Sequence, residues 1–494
     1  MCIGHNYPTD GNAHTLHVGT KQSKMKRVLI LLMLTFGLKS YATIYQVGSA
    51  KTYVSPNALY TASVVLDGDT IEIDAETYTG QPALAVWQSN DLLIRGVGGR
   101  PHLVANGEYI WGKGIWVVAG DNIVVENIEF SGAAVPSMNG AGIRLDGAGL
   151  TVRDCYFHDN ENGILVTNNA GVGDLLIEFS EFDNNGFGDG LSHNLYVGKI
   201  NKLTFRFNNT HHAKIGHNLK SRATENYILY NRLMDEQSGT SSRLIDLPNG
   251  GFSIVMGNLI MQGDNAPNKN MVGYGLEGLV NTPPHELHII NNTFVNKRVA
   301  SCTFVDIESG TTVANVSNNI FAGDGVLING TTTTMNTNYV DATISNVGFV
   351  NEAGYDYHLN SNSPALDYGT PINPVNGYSL TPDSIYEHPT NFGLRSVVNS
   401  IIDAGAYEYG VTSSIPDLLA EELLIYPNPT KGILTVEHEA NQIKTLSVFN
   451  ALGSMISSTS NSNTVDLSTI HNGIYFLRVE MKDGKDIVQP IIKE

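Results

Sequence analysis

Residues 205–210 read FRFNNT, and a six-residue pattern of this kind recurs along the chain. The copies are VENIEF at 125–130, VRDCYF at 152–157, IEFSEF at 177–182, FRFNNT at 205–210, ILYNRL at 228–233, VMGNLI at 255–260, IINNTF at 289–294 and VSNNIF at 316–321. Successive copies start 27, 25, 28, 23, 27, 34 and 27 residues apart. A period in this range predicts a solenoid, in which each repeat buries its apolar face against its neighbours.

The repeat unit indicates which kind of solenoid this is. Each copy is a short β-rich segment followed by polar or glycine-containing turns, without a segment of helix length, which excludes tetratricopeptide, ankyrin and leucine-rich repeats. The fourth position is asparagine in five consecutive copies: Asn208, Asn231, Asn258, Asn292 and Asn319. Asparagine tolerates the left-handed conformation of a tight corner, and its amide can bond the equivalent amide of the next coil. We therefore predict an all-β fold, a parallel β-helix with a structural asparagine ladder.

Composition limits the classes of partner. The chain has 494 residues, a net charge of −19 and 50 glycines. This acidic balance argues against nucleic-acid or anionic-membrane binding, although a local basic groove could still hold a polyanion. Cys155 and Cys302 are far apart in sequence, and we expect both to be small buried residues rather than a disulfide.

The N-terminal region has the features of a secretory signal peptide. Met25, Lys26 and Arg27 supply a basic start, residues 28–38 are an apolar core, and residues 40–42 read SYA. We predict cleavage after Ala42, so that residues 1–42 comprise an extension and the signal peptide. The apolar run is too short to span a bilayer, and no transmembrane segment is expected in the mature protein.

Residues 62–80, ASVVLDGDTIEIDAETYTG, resemble the opening rungs of right-handed parallel β-helix proteins of the pectate-lyase superfamily. DYHLNSNSPALDYG at 356–369 and IDAGAYEYG at 402–410 resemble closing segments of secreted bacterial β-helix proteins. The resemblance implies a right-handed β-helix over residues 43–410. It does not imply one reaction, because such proteins include lyases, hydrolases, epimerases and non-catalytic adhesins.

The C-terminal residues differ in character from the coils. After a linker at 411–422, YPNPTKGILTVE at 426–437, LSVFNALG at 446–453 and VDLSTIHNGIYFLRVE at 465–480 resemble the sorting domain of the Bacteroidetes type IX secretion system. The resemblance implies a small β-sandwich at 423–494 that engages the secretion machinery. It also implies export to the extracellular space or the cell surface. We expect the exported protein to be monomeric.

A cluster of cations points to the functional site. Eight of the 29 Lys and Arg residues fall between Lys199 and Arg243, and His193, His211, His212 and His217 lie within or beside this segment. HNLY at 193–196, just before this segment, returns within it as HNLK at 217–220, which is 24 residues later. Residues one coil apart stack at about 4.8 Å in a β-helix, so these side chains should be neighbours.

Alignment of the coils predicts which residues share a face. We align them on the inward residues Leu195, Leu219, Ile245, Leu276 and Val305. The next position gives an outward column of Tyr196, Lys220, Asp246, Glu277 and Asp306, with Arg222 two residues beyond Lys220. Two positions before the inward residues, a second column contains His193, His217, Arg243, Tyr274 and Thr303.

These residue types suit β-elimination on a uronic-acid polysaccharide. That reaction needs a cation to neutralise the carboxylate, a base for the adjacent proton and an acid for the leaving oxygen. We predict Lys220 as the base, Arg243 or Arg222 as the carboxylate clamp, and His193 or Tyr196 as the proton donor. His217, Asp246, Glu277 and Tyr274 complete the predicted substrate-binding set.

Alternatives remain open at this stage. A glycoside hydrolase could use Asp246 and Glu277 as its carboxylate pair, since carboxylates one coil apart lie near the retaining separation of about 5 Å. A non-catalytic glycan-binding or adhesive protein could use the basic groove to hold a polyanion, and an epimerase is a further possibility. Asp246 and Glu277 could also act only as ion-pair partners of the stacked cations. Ca²⁺ is a candidate cofactor, because an oxygen-rich turn holds Asp183, Asn184, Asn185 and Asp189.

Overall fold

A computed structural model describes residues 42–168, 173–410, 425–437, 442–450, 455–470, 473–482 and 486–493. The predicted signal peptide and linker lie outside these residues, apart from Ala42. Within the described ranges, no helix combines the length and the apolar character needed to cross a bilayer. One α-helix in these ranges, Pro56–Ala62, lies between the first strand, Ile44–Val47, and the second, Thr70–Asp74.

Three parallel sheets form the solenoid, and each coil contributes strands to them in a fixed order. Sheet 1 has twelve strands: Ile44–Val47, Thr70–Asp74, Leu93–Val97, Ile123–Glu126, Leu150–Arg153, Asp174–Glu178, Lys202–Arg206, Glu225–Leu229, Phe252–Met256, Glu286–Ile290, Val313–Ser317 and Thr334–Asn336. Sheet 2 has ten: Ala85–Trp87, Gly114–Val118, Ala141–Leu145, Asn162–Val166, Leu195–Val197, Leu219–Ser221, Ile245–Leu247, Asn270–Tyr274, Thr303–Ile307 and Val326–Asn329. Sheet 3 has eleven: Thr77–Thr79, His102–Val104, Glu129–Ser131, Tyr156–His158, Glu181–Asp183, Asn209–His211, Arg232–Met234, Leu259–Gln262, Thr293–Asn296, Ile320–Ala322 and Tyr339–Asp341.

The predicted repeat register is confirmed. The first residues of the eight copies pair directly with one another across sheet 1, from Val125 with Val152 to Ile289 with Val316. Their last residues lie in sheet 3, where the inward rings of Phe130, Phe157 and Phe182 stack with centroids 5.0 and 4.9 Å apart. The chain forms the predicted parallel β-helix because every coil buries its apolar residues between those of its neighbours.

The asparagine ladder is also confirmed, at the corner between sheets 1 and 3. The Nδ2 atom of each asparagine donates to the Oδ1 atom of the next, over 3.1, 2.9, 2.9 and 3.0 Å from Asn208 to Asn319. One further bond of 2.9 Å extends the ladder to Asn338. One expectation was wrong: the left-handed residue is not the ladder asparagine but the residue before it, for example Phe207 at φ 59° and Tyr230 at φ 55°.

Beyond the last coil, two antiparallel hairpins pair Phe349–Asn351 with Asp356–Leu359 and Ser384–Glu387 with Asn391–Leu394. In the C-terminal region, Ile425–Tyr426, Ile433–Val436 and Thr464–Asp466 form a three-stranded antiparallel sheet. Met455–Ser460, Ile443–Asn450, Gly473–Met481 and Asp486–Lys493 form a four-stranded one. Both cysteines of the coils, Cys155 and Cys302, are free and buried, as predicted.

Candidate functional site

An open groove of about 750 Å³ lies on the outer face of sheet 2. Four cations border it, together with His217 and Glu277: Lys220, Arg243, Lys269 and Arg298. A second cavity of about 350 Å³ is bordered by Arg144 and Tyr196 and shares Leu191 with the groove. The two cavities together extend along several coils, so the surface is long enough to receive a chain-like ligand.

The outward column of sheet 2 agrees in most positions with the predicted one. Strand pairing aligns Tyr196 with Lys220 and Lys220 with Asp246, as expected. In the next coil, however, the aligned residue is Gly273, which in turn pairs with Asp306. The assignment of Leu276 as an inward residue was therefore wrong.

The error has a physical cause in the 34-residue interval between the sixth and seventh repeats. The inward residue of that coil is Val272, and the chain then turns back toward the groove. A Cβ at position 273 would lie 3.1 Å from Asp246 Oδ1 and 3.2 Å from Arg243 Nε. The absence of a side chain at Gly273 thus leaves room for the neighbouring Asp–Arg pair.

Tyr274 does not belong to the groove. It aligns with Leu247 and Ile307, its ring is fully buried in the core, and its hydroxyl donates to the carbonyl oxygen of Gly251 over 2.6 Å. Its predicted place among the substrate-binding residues is therefore wrong. The residue of this coil that aligns with Arg243 and Thr303 is Asn270.

Glu277 reaches the site from the turn after sheet 2, not from the column. Its Oε1 atom accepts from Lys220 Nζ over 2.6 Å, and its Oε2 atom accepts from Arg222 Nη2 over 2.6 Å. Burial alone would raise the pKa of Glu277, but the hydrogen bonds from Lys220 and Arg222 outweigh it and lower this pKa. One ionised carboxylate therefore bridges two cations in the groove.

Asp246 lies beneath Lys220 and is fully buried. Its Oδ1 atom accepts from Arg243 Nη1 over 3.1 Å, and its Oδ2 atom lies 3.3 Å from Lys220 Nζ and 3.5 Å from His217 Nε2. Burial raises the pKa of Asp246, and the charges of Arg243 and Lys220 partly offset this effect. Asp246 is therefore the internal counter-ion that holds Lys220 and Arg243 in place.

Arg222 organises the side of the groove nearest Tyr196. Its Nε atom donates to Tyr196 Oη over 3.1 Å, and its Nη1 atom donates to Asn249 Oδ1 over 2.6 Å. Because the tyrosine oxygen already accepts from Arg222, its own proton is free to be donated to a ligand. Lys220 Nζ lies 5.9 Å from the centre of the Tyr196 ring.

The two histidines of the second column are largely buried, although His217 also borders the groove. His193 is 2% exposed and His217 is 6% exposed, and their rings stack with centroids 4.7 Å apart. His193 Nδ1 accepts the backbone N–H of His217, and His217 Nδ1 accepts that of Arg243. Burial, followed by the nearby cations, holds the pKa of both well below 6.5. His193 is thus shielded from the groove, and Tyr196, which borders the adjoining cavity, is the candidate proton donor.

The four residues proposed for a calcium site have separate partners. Asn185 is buried and bonded to Asn160 and Asn194, and Asp189 accepts from the backbone N–H of Leu191. Asn184 donates to Asp159, whereas Asp183 faces His211 and His212. Their oxygens do not form one cation site. From the sequence, His211 and His212 are expected only as members of the basic cluster.

Comparison with known proteins supports both parts of the architecture. Residues 54–195 and 104–261 match the right-handed β-helix region family, and residues 424–494 match the secretion system C-terminal sorting domain. No curated protein matches the chain. Among solved structures, the crystal structure of pectate lyase Pel9A is similar, with 15% sequence identity and a TM-score of 0.49. The match covers 75% of this chain and 97% of that one.

Proposed function

We propose that this secreted right-handed β-helix protein, which carries a type IX secretion sorting domain at its C-terminus, cleaves an acidic polysaccharide by β-elimination. The sorting domain directs the protein to the cell surface or the extracellular space. We assign the reaction to residues 43–410 and the export signal to residues 423–494, with the type IX machinery as the partner of the latter.

One observation carries the proposal: Lys220 and Arg222 together hold the carboxylate of Glu277 in an open groove. Two cations spaced to bind one carboxylate on a side chain can also bind one on a uronic acid. Glu277 is 45% exposed, so a ligand can displace it from the turn without disturbing the core. The substrate carboxylate would then pair with Arg222, and the carbon next to it would lie beside Lys220.

The neighbouring residues supply the other requirements of β-elimination. Arg222, with Arg243 on the next coil, neutralises the uronate and so makes the adjacent carbon acidic. Lys220 takes the proton from that carbon, the electron pair forms a carbon–carbon double bond, and the bond to the leaving glycosidic oxygen breaks. Tyr196 gives its proton to that oxygen. An amine acts as a base only in its neutral form.

A non-catalytic glycan-binding protein is the second candidate. The observation that favours it is the position of Lys220 between two carboxylates, 2.6 Å from Glu277 and 3.3 Å from Asp246. A lysine paired in this way is well suited to bind a polyanion as a permanent cation. The hydrolase alternative has less support, because Asp246 is fully buried beneath Lys220 and does not reach the groove.

The test is an ultraviolet assay for the unsaturated sugar product, with alginate, pectate, glycosaminoglycans and ulvan as substrates. We expect one polymer to give the product, and we expect Lys220→Ala to reduce the rate by about 10²–10⁴-fold, as for loss of a general base. Lys202→Ala is the matched control. Lys202 pairs with Asp174 on sheet 1, away from the groove, and its loss should leave the rate unchanged.

Product formation that persists in Lys220→Ala would contradict the assigned base. Binding that depends on Lys220 without any product would support the glycan-binding protein instead. New reducing ends without ultraviolet absorbance would indicate a hydrolase.

A further inference from the structure

A second cluster of chemically active side chains lies on a different face of the coils. His211 and His212 lie at the end of the sheet 3 strand Asn209–His211, and Asp183 lies one coil before them. The Nδ1 atoms of the two histidines are 2.9 Å apart. Asp183 Oδ1 lies 2.9 Å from the Nδ1 of His212 and 3.3 Å from the Nδ1 of His211. Three possible ligand atoms therefore form a compact triangle.

The backbone explains how two consecutive side chains meet on one side of a sheet. Successive residues of a strand normally point to opposite faces. His212 has a φ of 50°, in the left-handed region, so the chain turns immediately after His211. The two imidazole rings consequently lie edge to face, with their centroids 4.6 Å apart. A left-handed conformation is uncommon for a residue other than glycine, although histidine adopts it more readily than most.

The far side of each ring is held by a carboxylate. His211 Nε2 lies 2.9 Å from Glu181 Oε1, and His212 Nε2 lies 3.5 Å from Glu236 Oε2. A carboxylate on one ring nitrogen fixes the proton there and turns the other nitrogen into a lone-pair donor, as in carboxylate–histidine–zinc arrangements. The hydroxyl of Tyr156 also donates to Asp183 Oδ2, over 3.5 Å.

These contacts leave three electron-rich atoms facing one another. In the tautomer that directs both Nε2 protons at the carboxylates, the lone pairs of both Nδ1 atoms and of Asp183 Oδ1 point into the same small space. Such atoms repel one another unless a cation or a proton lies between them. Either a proton or a metal cation can occupy this space, and a metal ion binds here by replacing the proton.

We propose that His211 Nδ1, His212 Nδ1 and Asp183 Oδ1 bind a transition-metal ion of the Zn²⁺ type. Bonds of about 2.0–2.1 Å place tetrahedral ligands about 3.3 Å apart, close to the observed separations of 2.9–3.3 Å. Imidazole nitrogen ligands suit Zn²⁺, Cu²⁺ and Ni²⁺, whereas Ca²⁺ and Mg²⁺ take oxygen ligands. The three side chains are 11–25% exposed, so the ion can enter from solvent and keep a water as its fourth ligand.

A related cluster on the same sheet lacks part of this arrangement. His102, Glu129 and His158 also bring ligand atoms together, but His102 Nε2 is already bonded to Ser131 Oγ over 2.7 Å. The cluster that has all of these features is therefore the one formed by Asp183, His211 and His212. Its residues lie on sheet 3, so this inference does not depend on the activity proposed for sheet 2.

The test is a Zn²⁺ titration of the full chain, freed of metal by a chelator and followed by calorimetry. We expect one tight site in the wild type and a loss of affinity of about 100-fold or more in Asp183→Asn and in His211→Gln. Glu181→Gln keeps all three ligands but removes the carboxylate behind His211, and should weaken binding by about 10–100-fold. The control is His358→Gln, because His358 pairs with Asp356 and stacks on Tyr407, is not one of the proposed ligands and should not contribute.

Co²⁺ provides a second measurement, since its visible absorption reports coordination by these nitrogens directly. Circular dichroism of each variant establishes that it is folded. A wild-type protein that binds neither ion would overturn the proposal. So would equal Zn²⁺ affinity in the wild type, Asp183→Asn and His211→Gln.

Discussion

The asparagine ladder and the outward column of sheet 2 are built by the same repetition but serve different ends. In the ladder, identical neutral side chains stack from Asn208 to Asn338, and each donates to the next. In the column, the stacked residues include Tyr196, Lys220, Asp246 and Asp306, which differ in charge and size. An asparagine amide contains both a hydrogen-bond donor and an acceptor, so it can bond to the equivalent asparagine of the next coil. A cation only donates, so it cannot bond to an equivalent cation.

That difference indicates where on a solenoid a charged site can form. Stacked cations repel at strand spacing, so the groove needs counter-charges that the repeat does not supply. Asp246 provides one from within the column, and Glu277 provides another from a turn. The departures from regular repetition, at Gly273 and in the following turn, therefore coincide with the charged site.

The largest loss of stability is expected when a buried charge is removed from the outward column of sheet 2. Asp246→Asn leaves Lys220 and Arg243 without their shared counter-ion, and we expect unfolding to become easier by about 3–5 kcal/mol. Chemical denaturation measures this. Asp306→Asn is the matched control in the same column, because Asp306 accepts from the neutral amides of Asn270 and Asn329. Equal losses of unfolding free energy in Asp246→Asn and Asp306→Asn would show that the counter-charge of Asp246 does not stabilise the groove.

An intermediate effect is expected in the ladder. Asn258→Ala removes the acceptor of the Asn231 side chain and backbone N–H and the donor to Asn292, so we expect a loss of about 2–4 kcal/mol. Asn338→Ala, at the end of the ladder, should cost about half as much because it has a ladder neighbour on one side. The same denaturation measurement applies, and a larger loss at Asn338 would contradict the stacking account.

The smallest effect is expected at the turn that supplies Glu277. Glu277→Gln removes an exposed charge, so the free energy of unfolding should change by less than about 1 kcal/mol. Affinity for an acidic polymer at low salt should rise by about 5-fold, because Lys220 and Arg222 become available. Equilibrium binding measures this change. Glu308→Gln is the control: Glu308 bonds Ser309, and its substitution should leave affinity unchanged. Weaker binding in Glu277→Gln would indicate that the Glu277 carboxylate itself contributes to binding of the polymer.

The sequence predicted the fold well because the residues of each repeat pack against the equivalent residues of the neighbouring repeats. All eight apolar starting positions align as expected, from Val125 to Val316. The amides of the ladder also meet as expected. The conformation of the corner was assigned to the wrong residue, since an asparagine in the pattern does not by itself reveal which of two adjacent residues is left-handed.

The site was predicted in part, and the failures follow from turns of unequal length. Lys220, Asp246 and Tyr196 lie where the repeat spacing placed them. Tyr274 was misplaced because the long coil shifts the alignment by four residues, from Val272 to Leu276. The burial of His193 and His217 depends on packing between coils, which no local pattern encodes.

The metal cluster was missed for a related reason. Asp183 was noticed as part of an oxygen-rich turn, and the adjacent pair His211 and His212 was counted among the cations. These residues are 28 and 29 positions from Asp183, about one coil. The same one-coil comparison that placed Lys220 beside Asp246 would have brought them together.

The bridging carboxylate of Glu277 has a consequence for selectivity. A free uronic acid that enters the groove exchanges one carboxylate for another on Lys220 and Arg222, with little net gain. A polymer that also contacts Lys269 and Arg298, which border the same groove, adds further contacts on one molecule. For the function proposed above, the tethered glutamate would therefore act as a competitor of the substrate carboxylate. We expect monosaccharides and simple anions to displace it poorly, and long acidic chains to displace it through multivalency.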